Sequence, residues 1–291
     1  MNCNTAFRSP MVASAGKPPK ICCAKPTKNY SPIIDTMYKL PATLLLTLST
    51  LIVAGAQAYQ PEDKPDNQWS AIKQPTADAP EAIGSYANGC LRGAELLEPS
   101  GTGYLDMRRN RGRYYGQPEL ITFIRDLGEF THQRYGHKHL IGDLSQARGG
   151  RMNFGHSSHQ VGLDVDIWLQ TLPDQQAVSP FRDMQSIVNK AAGTIIGGNI
   201  APPIRDALHY AATYPGVARV FVNPVIKWHL CQSEKDTAWL NTLRPWWGHD
   251  QHFHVRLSCP ANQPNCHNQK PLKNGRKFYP TPAGYYCHKK Y

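Results

Sequence analysis

Two short stretches of this chain alternate strictly between apolar and ionisable side chains. In GLDVDIWL, residues Gly162–Leu169, the side chains of Leu163, Val165 and Ile167 fall on one face and those of Asp164 and Asp166 on the other. In QHFHVRL, residues Gln251–Leu257, His252 and His254 share one face and Phe253 and Val255 take the opposite one. A period of two is the signature of a β-strand with one buried face. Each strand therefore has an apolar side to bury and a side that gathers carboxylates or imidazoles.

The elements around these strands set the fold class. Leu120, Ile121, Phe123, Ile124 and Leu127 recur at helical spacing, and Pro118 suits a first helical turn, so Pro118–Arg134 reads as a helix. His139–Leu144 and Arg219–Val222 read as short strands, and Ile200–Tyr214, Pro224–Cys231 and Asp236–Leu243 as helices. Short strands mixed with helices predict an α+β single domain: a small antiparallel sheet with flanking helices. Residues 83–260 would form that domain, preceded by a Pro-, Asp- and Gln-rich strap at 59–82 and followed by an irregular tail at 261–291. Hydrophobic residues make up 41% of the chain and include six tryptophans, which excludes a disordered protein. Only one apolar run is long enough to matter, which excludes a multi-pass membrane protein.

That run identifies a leader. Met37-Tyr38-Lys39 begins like a start site, an apolar core follows, and Ala56-Gln57-Ala58 ends it as an A-x-A cleavage signal. Residues 37–58 then form a signal peptide, and residues 1–36 a segment upstream of the true start. Export leaves no stable membrane anchor. The formal charge falls from +11 to +6 without residues 1–58, which carry five net positive charges. A modestly basic surface suits an anionic partner, and the absence of a basic helix argues against nucleic acid. Of eight cysteines, Cys90, Cys231, Cys259, Cys266 and Cys287 remain after the leader. In an oxidising compartment these read as disulfides that staple the domain. Cys259 and Cys266 can close a small loop, Cys231 and Cys287 can tie the tail to the body, and Cys90 is then left over unless the pairing differs.

Two histidine clusters carry the chemistry. One is GHSSHQVGLDVD, which begins at Gly155 and places His156 and His159 before Asp164 and Asp166; the other is HDQHFH, with His249, His252 and His254. A histidine, a carboxylate and a second histidine make a three-ligand zinc site whose fourth position stays open for catalysis. Spacing alone does not choose between Asp164 and Asp166, which share a face. His132, His137, His139, His209, His229, His267 and His288 lack this context and read as surface or satisfied core residues.

The pattern H-x6-D followed by H-x-H resembles the zinc peptidases grouped with lysostaphin, the D-Ala-D-Ala peptidases and the hedgehog domain. The longer stretches GGRMNFGHSSHQVGLDVDI, RVFVNPVIK and LRPWWGHDQHFHVRLSCP are similar to the penicillin-insensitive murein endopeptidases of Gram-negative bacteria. Ile83–Cys90 and RYYGQPEL fit as well, so the resemblance spans roughly residues 65–266. It implies that the sheet carries Zn2+ on His159, Asp166 and His254, with His156 beside the metal and His252 and His249 as catalytic histidines. It also implies a periplasmic enzyme that cuts peptidoglycan peptide cross-links between D-alanine and meso-diaminopimelate. Such peptides carry carboxylates, for which Arg108, Arg113, Arg151 and Arg244 are candidate forks, and Trp246 and Trp247 are candidate groove walls. A D-Ala-D-Ala carboxypeptidase or dipeptidase would use the same ligands, and a zinc-stabilised peptidoglycan-binding module would use them without turnover.

Overall fold

The computed structural model describes residues 66–270 and Cys287. The expected signal peptide and the segment upstream of it lie outside the described residues. Three helices flank one main sheet: α1, Pro118–Tyr135; α2, Pro202–Thr213; and α3, Pro224–Ser233. All three begin on proline, whose missing N–H costs nothing in the first turn. Helix α1 stops at Gly136, which takes a left-handed φ of 63° and caps the His132 carbonyl with its N–H.

The main sheet has seven strands, in the order Leu243–Pro245, Val217–Val222, His252–Leu257, Asp164–Pro173, His137–Ile141, Tyr104–Asp106 and Ser100–Gly101. The architecture is α+β as expected, but the sheet is larger than expected and mixed rather than antiparallel. Tyr104–Asp106 runs parallel to His137–Ile141, and Val217–Val222 parallel to Leu243–Pro245. A helix explains each case. Helix α1 lies between the first pair in sequence and α3 between the second, and a crossover helix returns the chain in the same direction.

The two alternating stretches become the central pair. Asp164–Pro173, the aspartate strand, lies antiparallel to His252–Leu257, the histidine strand. Their register sets Phe253 opposite Ile167 and Val255 opposite Val165 on one face. These four residues are fully buried and belong to the core that α1 and α2 complete with Leu120, Ile124, Leu127, Ala207 and Leu208. A smaller cluster of Met107, Leu140, Trp168 and Leu172 forms on the opposite face.

Three local expectations change. Asp236–Leu243 is not a helix; it holds one 3-10 turn, Trp239–Asn241, and then enters the sheet with Leu243 paired to Val220. The buried Lys227 ammonium of α3 donates to the Leu240 and Leu243 carbonyls, which a continued helix would need for itself. The strand expected from His139 starts at His137 and ends at Ile141. A hairpin, Glu81–Ser85 with Asn88–Arg92, also forms where the sequence reading assigns no strand. Residues near Cys266 extend it, since the Gly84 N–H donates to the Asn265 carbonyl and the Gly84 carbonyl accepts from the His267 N–H, both at 2.8 Å.

Disulfides join Cys231 to Cys287 and Cys259 to Cys266, as the spacing suggests. Cys90 is not left over; it is disulfide-bonded as well. Among the described residues, no helix is long and apolar enough to cross a membrane.

Candidate metal centre

The register that builds the core also builds the centre. On the face opposite the core, His254 lies directly across from Asp166, Arg256 across from Asp164, and His252 across from Trp168. Cross-strand neighbours of this kind stand with Cβ atoms about 5 Å apart, close enough for their side-chain heads to meet. His254 Nδ1 lies 3.3 Å from Asp166 Oδ1, and His252 Nε2 lies 3.6 Å from the same oxygen. Phe221, paired with His254 from the next strand, packs its ring edge-on against the imidazole with centroids 5.1 Å apart.

The other two histidines arrive on a loop. Residues between the strand His137–Ile141 and the aspartate strand turn back over the sheet through Gly149 and Gly150. Gly149 has φ +64°, and a Cβ there would meet the Gln160 carbonyl oxygen at 2.0 Å; at Gly150 a Cβ would run into the Trp69 ring at 2.2 Å. Glycine is therefore required at both positions. Trp69 lies in the segment expected to be a lead-in strap, and in the same segment Asn67 Nδ2 donates to the Arg151 carbonyl at 2.9 Å. The loop ends at His159, a non-glycine residue at φ 65°, and brings its Nε2 to 3.4 Å from Asp166 Oδ1.

Hydrogen bonds assign the ring nitrogens. His159 Nδ1 lies 3.1 Å from the Leu144 carbonyl, so Nδ1 carries the proton and Nε2 keeps its lone pair towards Asp166. His254 Nε2 lies 2.9 Å from Asp164 Oδ1, so Nε2 carries the proton and Nδ1 faces Asp166. His156 turns its Nε2 to Asp143 Oδ2 at 3.0 Å, with Asp166 Oδ2 at 3.4 Å. His249, at φ 49°, lies with Nδ1 3.1 Å from the Trp247 carbonyl and stacks obliquely on His252, centroids 5.0 Å apart.

The charges are consistent with a cation centre. Burial by itself would raise the Asp166 carboxyl, but His252, His159 and His156 outweigh it and hold Asp166 well below the ordinary carboxylate value. Burial lowers His252 against the pull of Asp166. Burial, followed by the neighbouring His252 and His254, pushes His249 down to about 3. Both of these imidazoles are therefore neutral near pH 7.

Two buried atoms in the middle, His159 Nε2 and Asp166 Oδ1, have no hydrogen-bond partner. Leaving such atoms bare in a protein interior is costly, and a shared cation satisfies both. His156, His159 and Asp166 each offer a ligand atom within 4.8 Å of the others. The donors present thus fit a metal ion. The structure brings together all six residues expected at the centre: His156, His159, Asp166, His249, His252 and His254.

The expected arginines divide. Arg113 is 3% exposed and spends its guanidinium on Asp143 Oδ2 at 2.6 Å, Asn153 Oδ1 at 3.2 Å and the Phe154 carbonyl at 2.9 Å. It therefore holds the carboxylate behind His156 rather than facing a substrate. Arg108 pairs with Asp183 at 3.1 Å beside the Trp168 ring. Arg244 donates to the Asn241 carbonyl, and Arg151 lies at the surface. Trp246 and Trp247 are 42% and 58% exposed, so both can border the mouth, and Trp246 reaches the centre through Phe221. Sequence reasoning missed Asp143, Arg256 and Arg111, whose guanidinium lies 3.4 Å from Asp143 Oδ2 beside Arg113. Arg256 was recoverable, because it continues the alternation 252, 254, 256; Asp143 and Arg111 carry no periodic signal.

A mixed sheet thus carries a buried cluster of histidines around Asp166 that makes a possible metal site. Residues 82–279 match the family of penicillin-insensitive murein endopeptidases. Relatives bearing that name include a Klebsiella pneumoniae protein, 39% identical over 80% of this chain and 84% of its own length. A Haemophilus influenzae protein is 40% identical over 71% of this chain and 74% of its own, and a Yersinia pestis protein 43% identical over 69% and 74%. The chain belongs to the penicillin-insensitive murein endopeptidase family.

Proposed function

We propose that the protein is a zinc-dependent endopeptidase of the periplasm that hydrolyses D-alanyl–meso-diaminopimelyl cross-links in peptidoglycan. The observation that carries this reading is the orphaned pair His159 Nε2 and Asp166 Oδ1, buried together beneath His252. His159, Asp166 and His254 would hold the ion, two nitrogens and one oxygen in the manner of catalytic zinc. His156 stands beside them on Asp143. Zinc, when bound, supplies Lewis acidity to the scissile carbonyl and to the attacking water.

The protein's own groups do the remaining work. Burial keeps His252 neutral, so its Nε2 can accept the proton of the attacking water. His249 donates Nδ1–H to the Trp247 carbonyl, which leaves Nε2 as a second acceptor. A histidine that has taken this proton can return it to the leaving amine. The family's H-x-H strand thus replaces the glutamate base of peptidases built on an H-E-x-x-H helix. Trp246 and Trp247 border the mouth, where an extended peptide would pass. Export is supported by the A-x-A leader and by the disulfides, which persist in an oxidising compartment.

The test is to incubate purified protein with cross-linked muropeptide dimers, with and without a chelator, and to weigh the products by mass spectrometry. Chelator-sensitive conversion of dimers to monomers is expected. Removal of a terminal D-alanine alone would replace this reading with a carboxypeptidase, and intact dimers would end it.

A further inference from the structure

Behind the centre lies a carboxylate that the proposed reaction does not use. Asp164 is fully buried and two residues before Asp166 on the same strand face. Its Oδ2 accepts the backbone N–H of His159 at 3.0 Å, and its Oδ1 accepts His254 Nε2 at 2.9 Å. Arg256 closes the other side, with Nε 2.7 Å from Oδ1 and a terminal nitrogen 3.3 Å from Oδ2. The Arg256 guanidinium is itself wedged between the Tyr86 and Phe221 rings, 4.2 and 5.1 Å from their centroids, and donates to Gln269 Oε1 at 2.7 Å.

We propose that Asp164 is a positioning residue for the metal centre, whose single carboxylate sets the tautomer of His254 and the backbone of His159 together. The proposal rests on the metal-centre reading above. A neutral imidazole has two tautomers, and the one present follows the hydrogen bond its other nitrogen makes. With Nε2–H bound to Asp164, His254 presents a lone pair on Nδ1, the nitrogen that faces Asp166. With the opposite tautomer it would present an N–H there and repel a cation.

The second contact acts on the backbone. A non-glycine residue at φ 65° occupies a sparsely populated region, so its surroundings must over-determine it. Asp164 takes the His159 N–H, and Ser145 Oγ donates to the His159 carbonyl at 2.7 Å. The residue is thus gripped at both ends while Leu144 holds its ring. Two proposed ligands come from different parts of the chain, a loop and a strand, and the Asp164 carboxylate accepts a hydrogen bond from each. Arg256 supplies its counter-charge through Nε and a terminal nitrogen.

Two measurements test this. Zinc affinity, read by competition with a chromophoric chelator, is expected to fall about 10- to 100-fold in Asp164→Asn, the range for removal of a group that orients a ligand. The amide keeps the size but puts N–H donors where donors already point. Nitrogen NMR of the histidine rings in the metal-free wild-type protein is expected to show a proton on Nε2 of His254. A folded Asp164→Asn protein with wild-type zinc affinity would overturn the proposal, as would an unprotonated Nε2 on His254. Should the variant fail to fold or the wild type bind no zinc, the ring spectrum still decides. In the second case it is the zinc reading that falls.

Discussion

The centre has two halves built by different means. His252, His254 and Asp166 come from adjacent strands, and their meeting follows from the same register that buries Phe253, Val255, Val165 and Ile167. A slip of one residue would move every one of these groups to the wrong face, so core packing itself enforces the site. His156 and His159 come from a loop with no such guarantee. They are placed by discrete contacts: Asp143 on His156, and Leu144, Ser145 and Asp164 on His159. Beneath the loop, Gly149 and Gly150 and the strap residue Trp69 set its path. The strand half is cheap to specify and tolerant, whereas the loop half is assembled from parts that can each be removed alone.

Predictions follow from this contrast. The largest effect is expected for His159→Ala and Asp166→Ala, one from each half: bound zinc measured by elemental analysis falls to background, and activity with it. If only the loop variant loses zinc, the strand half is not a ligand source. His252→Ala is expected to keep its zinc and lose about 10²- to 10⁴-fold in kcat, the range for a general base or acid; undiminished turnover would remove His252 from the chemistry. Phe253→Ala, on the core face of the histidine strand, is expected to cost about 3–5 kcal/mol in a urea melt. Trp69→Ala should cost less stability but should weaken zinc binding, because it loosens the path to His156 and His159. Equal effects of these two on zinc affinity would erase the distinction between the halves.

The smallest expected effect lies far from both. Burial, followed by repulsion from Arg244, lowers the Lys227 ammonium to about 7. The unfolded chain holds that proton up to about pH 10, so between these values it binds more protons than the folded protein. Stability should therefore rise as pH rises from about 7 to about 10. Lys227→Met should flatten that rise in melts across the range.

Much of the fold was legible because it depends on local period. Helix α1 declared itself by a proline start and apolar spacing, α2 and α3 were expected over Ile200–Tyr214 and Pro224–Cys231, and the two central strands declared themselves by strict alternation. Segments whose structure depends on distant partners were not legible. The helix expected at Asp236–Leu243 gives way to a turn and an edge strand because Lys227 and Val220, both distant in sequence, claim its backbone. The hairpin Glu81–Arg92 has no apolar alternation to announce it and is steadied by the tail near Cys266. Arg113 was expected at the substrate because arginines bind carboxylates. It does bind one, but the carboxylate is Asp143.

The residue pattern alone determined the family, the two clusters and the set of six residues that meet at the centre, because those depend on identity and short spacing. The resemblance implied Asp166 as the ligand, but spacing by itself did not decide between Asp164 and Asp166. Both sit on one strand face, and a period of two cannot tell them apart. Tertiary structure separates them through register: Asp166 falls opposite His254 with a bare oxygen turned to the histidines, while Asp164 falls opposite Arg256, which pairs with it, and accepts from His254 Nε2 and from the His159 backbone N–H.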